Sequence, residues 1–273
     1  MTNARMPVYF LSHGGGPWPW VPTMRAMFAV SAREFAALPA RLGVTPRAIL
    51  AISGHWEAPG FTVSTAAQPP MEYDYSGFPP ETYQIRYPAP GAPELAARVK
   101  QLVQDSGLAV GEDPERGFDH GVFVPLSLMY PQADIPVVML SLQAGYDPAT
   151  HLRVGDALAP LRDEGVLIVG TGLTYHNMRG FGSAGAAAVS ADFEAYLRSA
   201  IGQDDTGERN QMLVDWESAP SARQAHPRED HLLPLMVVAG AAQQDRGRLW
   251  FSDQALNVEM ASYEFGMLPG QAA

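Results

Sequence analysis

Three histidines of this sequence lie shortly after short apolar runs, and glycines stand close to each of them. They are His13, His55 and His176. Imidazole titrates near neutral pH and binds Fe, Zn, Cu or Ni, so these residues could act as acid/base groups or as metal ligands. The carboxyl ends of parallel strands meet at one edge of a sheet, where open α/β sheets bind ligands. If the three runs are neighbouring parallel strands, the three imidazoles converge.

Four further histidines are His120, His151, His226 and His231. His120 and the pair His226 and His231 each precede an apolar segment, from which they could project into the same site. His151 lies inside a helical pattern and is interpreted as a surface or packing residue. Two histidines and one carboxylate would favour non-haem Fe(II), but the spacing selects neither the metal nor the ligands. The nearby carboxylates are Glu57, Glu229 and Asp230.

Short apolar runs alternate with helical patterns along the chain, which is typical of an α/β fold. We expect one domain over residues 1–273, with a central, mostly parallel or mixed sheet flanked by helices and a metal site at the carboxyl ends of the strands. The predicted strands are Val8–Leu11, Ala48–Ser53, Ile135–Leu140 and Val166–Val169, and the predicted helices are Pro93–Gln104, Asp147–Gly165, Ala191–Ile201 and Glu229–Gln243.

One segment, Gln68–Pro93, departs from this alternation because it is rich in Pro, Tyr and Gly. Proline at this density excludes a long helix. We interpret the segment as an excursion folded over the domain, either as a lid on a site or as a surface loop.

The composition excludes several classes of protein. The chain has no cysteine, which excludes disulfides, thiolate catalysis and iron–sulfur clusters. Its 29 acidic residues outnumber 18 Lys and Arg, giving a formal charge of -11, so nucleic acid is not an expected partner. No apolar run reaches the length of a membrane span, and no signal peptide is recognised. We therefore expect a cytoplasmic protein without membrane or nucleic-acid partners; the oligomeric state is not predicted.

Two common catalytic motifs are incomplete. His13-Gly14-Gly15-Gly16 is similar to the oxyanion-hole run of some esterases, but no G-x-S-x-G nucleophile motif is present. Gly170-Thr171-Gly172 could open a dinucleotide-binding fingerprint, but Tyr175 stands where the third glycine is required. Neither a serine hydrolase nor a nucleotide-dependent enzyme is favoured.

Seven short motifs occur in an order that resembles the class III extradiol ring-cleavage dioxygenases, and most of all the branch of the DOPA 4,5-dioxygenases. The resemblance extends from about residue 7 to residue 241. The motifs are Leu11-Ser12-His13-Gly14, Ser53-Gly54-His55-Trp56-Glu57, Tyr87-Pro88-Ala89-Pro90-Gly91, Asp119-His120-Gly121, the segment 130–138, His176-Asn177, and His226-Pro227 followed by His231.

This resemblance implies one mononuclear metal, Fe(II) for dioxygenase activity with Zn(II) as the alternative, and a small catecholic substrate that is DOPA-like or another dihydroxyphenyl compound. It implies that His13, His55 and His231 are the metal ligands. It further implies that His176 is the catalytic acid/base and that His120 contacts either a metal ligand or the substrate. A zinc-dependent hydrolase on the same scaffold and a non-catalytic metal-binding protein are the alternatives.

The sequence says less about what surrounds the substrate. Five aromatic residues could wall the pocket, or they could belong to the core or to a lid. Arg179 could pair with a substrate carboxylate, although a solvated loop charge explains Arg179 as well. The aromatic residues are Trp18, Trp20, Trp56, Phe78 and Tyr175.

Overall fold

Eight strands form one mixed sheet in the computed structural model, which describes residues 5–267. The order across the sheet is β4-β3-β5-β2-β6-β1-β8-β7. The strands are β1 (Val8–Ser12), β2 (Ala48–Ala58), β3 (Phe61–Ser64), β4 (Val110–Asp113), β5 (Val137–Gln143), β6 (Val166–Gly172), β7 (Gly247–Ala255) and β8 (Val258–Phe265).

The centre of the sheet consists of β5, β2, β6 and β1, and all neighbouring pairs in this group are parallel. Nearly every residue of these strands is buried, because helices flank the sheet and each strand is apolar on both sides. These are the four strands that the apolar runs predict. The α/β class and the mixed, helix-flanked sheet are confirmed.

Between residues 5 and 267, ten α-helices accompany the sheet, and three short 3-10 helices occupy Trp18–Trp20, Pro80–Gln84 and Trp216–Ser218. The helix α10 is buried along its whole length and packs against α5 and the strands β6 and β1. The α-helices are α1 (Pro22–Met27), α2 (Ala29–Leu42), α3 (Pro93–Asp105), α4 (His120–Met129), α5 (Pro148–Leu158), α6 (Pro160–Asp163), α7 (Ala186–Ile201), α8 (Thr206–Val214), α9 (Ala222–Ala225) and α10 (Leu233–Ala242).

The sequence interpretation overlooked the outer strands β3, β4, β7 and β8. The hairpin of β7 and β8 turns at Leu256 and Asn257, which both have positive φ angles of 52° and 60°. Such a turn is usually marked by glycine or by Asn-Gly, and its absence here hides the hairpin. The segment predicted as one helix over Asp147–Gly165 is divided into α5 and α6, because Pro160 begins a new helix.

The carboxyl ends of β1, β2 and β6 lie side by side, so the residues that follow these ends are close together. Ser12 of β1 lies beside Gly172 of β6, and Ser53 of β2 lies beside Thr171. The strand β2 continues to Ala58, beyond its predicted end, and its register against β5 shifts between Ile52 and Glu57. His55 therefore lies within an irregular part of β2 rather than after it.

The longest helix of the described range, α7, has 16 residues, and no helix between residues 5 and 267 is both long and apolar enough to cross a membrane.

Candidate active site

Five histidines meet at the carboxyl-terminal edge of the parallel strands. The ring centroids of His13 and His55 are 5.0 Å apart, and those of His55 and His120 are 4.1 Å apart. His231 lies 4.5 Å from His55 between ring centroids, and His176 stacks on His231 at 3.4 Å with the rings inclined by 20°. All five residues that the sequence analysis singled out for the site are thus neighbours.

The carboxylate of Asp74 contacts two of these histidines. Its Oδ2 lies 3.1 Å from Nδ1 of His55, and its Oδ1 lies 2.8 Å from Nδ1 of His120. The backbone N–H of His120 also donates to Asp74 Oδ1 at 3.0 Å. A carboxylate on Nδ1 fixes the tautomer of an imidazole and leaves Nε2 free to bind another group.

Asp230 lies beside Nδ1 of the other two, at longer distances. Its Oδ1 lies 3.2 Å from Nδ1 of His231 and 3.6 Å from Nδ1 of His176. The backbone N–H of His231 donates to the same oxygen at 2.8 Å. Each half of the site therefore consists of one carboxylate and two histidines. The sequence analysis weighed Asp230 as a metal ligand, and here its contacts orient two imidazoles.

Neither ring nitrogen of His13 has a hydrogen-bond partner within residues 5–267, although the side chain is buried. Trp18 fixes its backbone by donating from Nε1 to the His13 carbonyl oxygen at 2.7 Å. A buried polar atom without a partner is costly. Binding a metal ion would satisfy one of these nitrogens.

Hydrogen bonds connect the elements that carry the two histidines of the Asp74 half. Ser53 Oγ donates to Asp119 Oδ1 at 2.8 Å and accepts from the backbone N–H of His55 at 3.1 Å. Asp119 immediately precedes α4, so this chain ties the irregular part of β2 to the helix that begins with His120.

Glycine permits the close approach of the segment that carries His231. A Cβ atom on Gly172 would collide with the carbonyl oxygen of His231, and that oxygen accepts a hydrogen bond from the N–H of Leu173 at 3.1 Å. The carboxyl end of β6 and the approach to α10 therefore touch through backbone atoms.

Burial determines the charge of the site. It lowers the pKa of His13 and His55 well below the ordinary value, and neighbouring histidines lower it further. Burial also lowers the pKa of His231 to about 4. Burial opposes ionisation of the carboxyl groups, but hydrogen bonds from the histidines bring the pKa of Asp74 and Asp230 below the ordinary value. Neutral imidazoles held by charged carboxylates are the form in which histidine binds metals.

The donor geometry fits a metal ion. One ring nitrogen from each of His13, His55 and His120 lies within 4.8 Å of the others, and His176, Asp230 and His231 form a second such group. The Nε2 atoms of His55 and His231 are 3.1 Å apart. Two nitrogens at about 2.1 Å from one ion are separated by about 3.0–3.4 Å, so this pair fits a shared ion.

The remaining two histidines lie outside the site. His226 is buried against Phe193 and Trp216, and its Nε2 pairs with the carbonyl oxygen of Thr174 at 3.0 Å. His151 is buried as well, with Nδ1 2.7 Å from the Asp147 carbonyl oxygen. Both are packing residues. The suggestion that His226 could project into the site is not supported.

A cavity of 540 Å³ opens in front of the histidines and is lined by nineteen residues. Asp74, Tyr75, Ser76 and Phe78 belong to this lining, so part of the excursion Gln68–Pro93 covers the site. Beyond the histidines lies a group of apolar side chains that we call the outer pocket. The outer pocket comprises Phe28, Phe78, Met178, Phe181, Leu256 and Met260.

Of the five aromatic residues proposed as walls, only Phe78 lines the cavity. Trp18 is buried beneath His13, Trp56 packs under Arg116, and Tyr175 packs against Phe181. Arg179 is exposed and does not line the cavity either. Sequence reasoning missed Asp74, whose position in a tyrosine-rich irregular segment carries no recognisable signal.

Comparison with known families now adds to this geometry. Residues 26–264 match the model of the family described as the catalytic LigB subunit of aromatic ring-opening dioxygenase. The chain belongs to this family. The ring-opening dioxygenase fold explains why the histidines, scattered along the sequence, share one edge of the sheet, and the resemblance to extradiol dioxygenases is confirmed.

Individual relatives agree with this assignment. The ring-opening dioxygenase is 44% identical over 203 residues to a 4,5-DOPA dioxygenase extradiol of Beta vulgaris, covering 73% of this chain and 75% of the relative. It is 40% identical over 279 residues to the dioxygenase tasH of Hapsidospora irregularis, covering 95% and 85%. The crystal structure of an uncharacterized protein from Escherichia coli K12 superposes with a TM-score of 0.77 at 29% identity, covering 96% of this chain and 100% of that one.

Family membership makes the protein a metal-dependent, non-haem extradiol dioxygenase that acts on a small aromatic substrate with O₂. The histidine cluster supplies the nitrogen donors that such a metal requires.

Proposed function

We propose that the protein holds Fe(II) through His13, His55 and His231 and cleaves the ring of a catechol next to its two hydroxyl groups. The observation that carries the proposal is the pair of unpartnered nitrogens on the buried His13, beside the 3.1 Å approach of His55 and His231. Three nitrogen ligands leave positions free for substrate and O₂. Because the sheet gathers every strand of the described range, we propose that residues 1–273 act as one catalytic domain.

His231 is preferred to His120 as the third ligand for a geometric reason. Its Nε2 lies 3.1 Å from Nε2 of His55, a separation that suits two ligands of one ion. The choice of His231 leaves the Nε2 atom of His120 for a hydrogen bond to substrate. Bound Fe(II) would acidify the catechol hydroxyls and mediate electron transfer from the ring to O₂.

The protein residues supply proton transfer and orientation. His176 lines the cavity, and Asp230 stands beside its Nδ1, which leaves Nε2 to take a proton from a catechol hydroxyl and return it later. His120 holds the substrate in place. In the balanced reaction, one carbon–carbon bond beside the diol breaks and both atoms of O₂ enter the product. One becomes an aldehyde oxygen and the other joins a carboxylate.

The test is reconstitution with Fe(II) under anaerobic conditions, addition of unsubstituted catechol, and admission of ¹⁸O₂. We expect O₂ uptake, a coloured ring-opened product and two labelled oxygen atoms by mass spectrometry. Zinc-loaded protein should be inactive. Turnover that requires Zn(II) but not O₂ would instead favour the hydrolase alternative, and metal binding without any turnover would favour a non-catalytic protein.

A further inference from the structure

The outer pocket is the part of the cavity that would surround any substituent on the catechol ring. Among the nineteen lining residues none is Lys or Arg, and the one charged side chain outside the histidines is that of Asp74. Its carboxylate is directed at His55 and His120. The cavity thus offers a negative charge at its base and apolar surface above it.

We propose that the physiological substrate is a catechol with an uncharged, apolar substituent, rather than one with a carboxylate or an amino-acid side chain. This inference rests on the proposed catechol chemistry and specifies the substrate class of the same site.

An anionic substituent would lack a counter-ion in the cavity. Arg179, the cation closest in sequence to His176, is exposed and outside the lining, and Arg228 contacts Glu57 and Tyr146. A carboxylate that leaves water without a positive partner is strongly disfavoured.

Side-chain hydrogen-bonding groups for an amino acid are equally scarce. The hydroxyl of Tyr75 donates to the carbonyl oxygen of Thr82 at 2.7 Å, which leaves Ser76 as the free hydroxyl of the lining. Tyr75 and Ser76 directly follow Asp74 in the chain. The lining residues from the later part of the chain, Phe181, Leu256 and Met260, are apolar and offer no hydrogen-bonding side chain.

The mouth of the cavity is apolar as well. Met178 is 71% exposed and Leu256 is 47% exposed, although both line the cavity. Their loops are joined, because the N–H of Gly182 donates to the carbonyl oxygen of Leu256 at 2.7 Å. Exposed apolar surface at a binding site favours a ligand that covers it. The substituent is therefore expected to extend to this rim.

The first test compares ligands that differ in charge and by one methyl group, whose own contribution is about three- to fourfold. The pair is 3-(3,4-dihydroxyphenyl)propanoate and its methyl ester, with unsubstituted catechol as the reference for activity. We expect the ester to be preferred in kcat/KM by about tenfold or more, because the acid must bury an unpaired carboxylate. In a 4-alkylcatechol series, kcat/KM should rise about three- to fourfold for each added methylene until the rim is reached. Equilibrium dialysis against the anaerobic protein should give the same order in Kd.

The second test adds a cation at the rim. Met178→Arg should lower the preference for the ester by about two- to fivefold, as expected for a partly exposed ion pair. Val44→Arg is the matched control, because Val44 is an apolar residue with 39% exposure that does not line the cavity, and its variant should keep the wild-type ratio.

The outcomes separate the two proposals. If no catechol is cleaved, the proposed function fails. If unsubstituted catechol is cleaved but the acid is bound and turned over as well as the ester, the proposed function stands and the apolar substrate class is wrong.

Discussion

Two groups of histidines lie in this protein, and burial by itself does not distinguish them. His151 and His226 are completely buried, as is His13. The difference lies in what their nitrogens meet. His151 and His226 bond to backbone carbonyl oxygens of Asp147 and Thr174, which belong to the packing of the fold.

Four of the five histidines of the site instead have a carboxylate beside Nδ1 and face the other rings of the cluster. Asp74 and Asp230 each approach two imidazoles through Nδ1. A hydrogen bond to a backbone carbonyl oxygen satisfies the ring as part of the packing. A carboxylate instead fixes the orientation of the ring and leaves the second nitrogen to bind a metal or a substrate. The kind of group that the ring contacts, a carboxylate or a backbone carbonyl oxygen, therefore separates four of the functional histidines from the two structural ones, and the following predictions test that distinction.

The largest effect is expected at His13. His13→Ala should abolish binding of Fe(II) and leave no measurable ring cleavage, because it removes a buried imidazole whose nitrogens have no other partner among residues 5–267. Metal content by elemental analysis and O₂ uptake are the measurements. His151→Gln serves as the control and should retain both. Full metal occupancy in His13→Ala would refute its assignment as a ligand.

A smaller loss is expected at His176. His176→Ala should lower kcat by about 100-fold or more, with metal content and the Kd for catechol nearly unchanged, because proton transfer is lost while the proposed ligands remain. Anaerobic substrate titration and steady-state kinetics separate the two quantities. Loss of the metal in this variant would show that His176 is itself a ligand.

An intermediate effect is expected when the carboxylate is neutralised without a change of shape. Asp74→Asn should weaken metal affinity or activity by about 10- to 100-fold, the usual range for a residue that orients a ligand. Competition with a chelator measures the affinity. Asp147→Asn is the control, since Asp147 contacts His151 through its backbone. If Asp74→Asn behaves like this control, the carboxylate does not orient His55.

The smallest effect on activity is expected at His226, where the prediction concerns the stability of the fold in acid. Burial lowers the pKa of His226 from 6.5 to about 3, so between these pH values the unfolded chain binds a proton that the folded protein does not. The contribution of neutral His226 to the free energy of unfolding is complete above pH 6.5. It is lost as the pH falls toward 3, by up to about 1.4 kcal/mol per pH unit. His226→Leu should be less stable at pH 7.5 and less sensitive to acid, with unchanged metal content. Thermal unfolding from pH 7.5 to pH 4 measures both; an equal acid slope in the variant would contradict the prediction.

The sequence predicted the central sheet well because its signal is local. A strand covered on both faces must be apolar throughout, and such runs can be read without knowledge of their neighbours. The outer strands escaped notice because their residues are mixed in polarity, and the β7–β8 turn lacks the usual glycine. The walls of the cavity were largely mispredicted, since the direction in which Trp56 or Met178 points depends on elements far away in the chain.

The sequence by itself determined that a cysteine-free chain must bind any metal through nitrogen and oxygen, and it marked His13, His55, His120, His176 and His231 by position and motif. Only the tertiary structure decided that Asp74 and Asp230 orient four of these rings, that His226 belongs to the packing, and that the cavity above them contains no cation within the described residues. The reason is physical. The end of a strand is set by the local sequence pattern. Whether a carboxylate lies beside an imidazole, or a cation lies beside the substrate, depends on distances between residues that are remote in sequence.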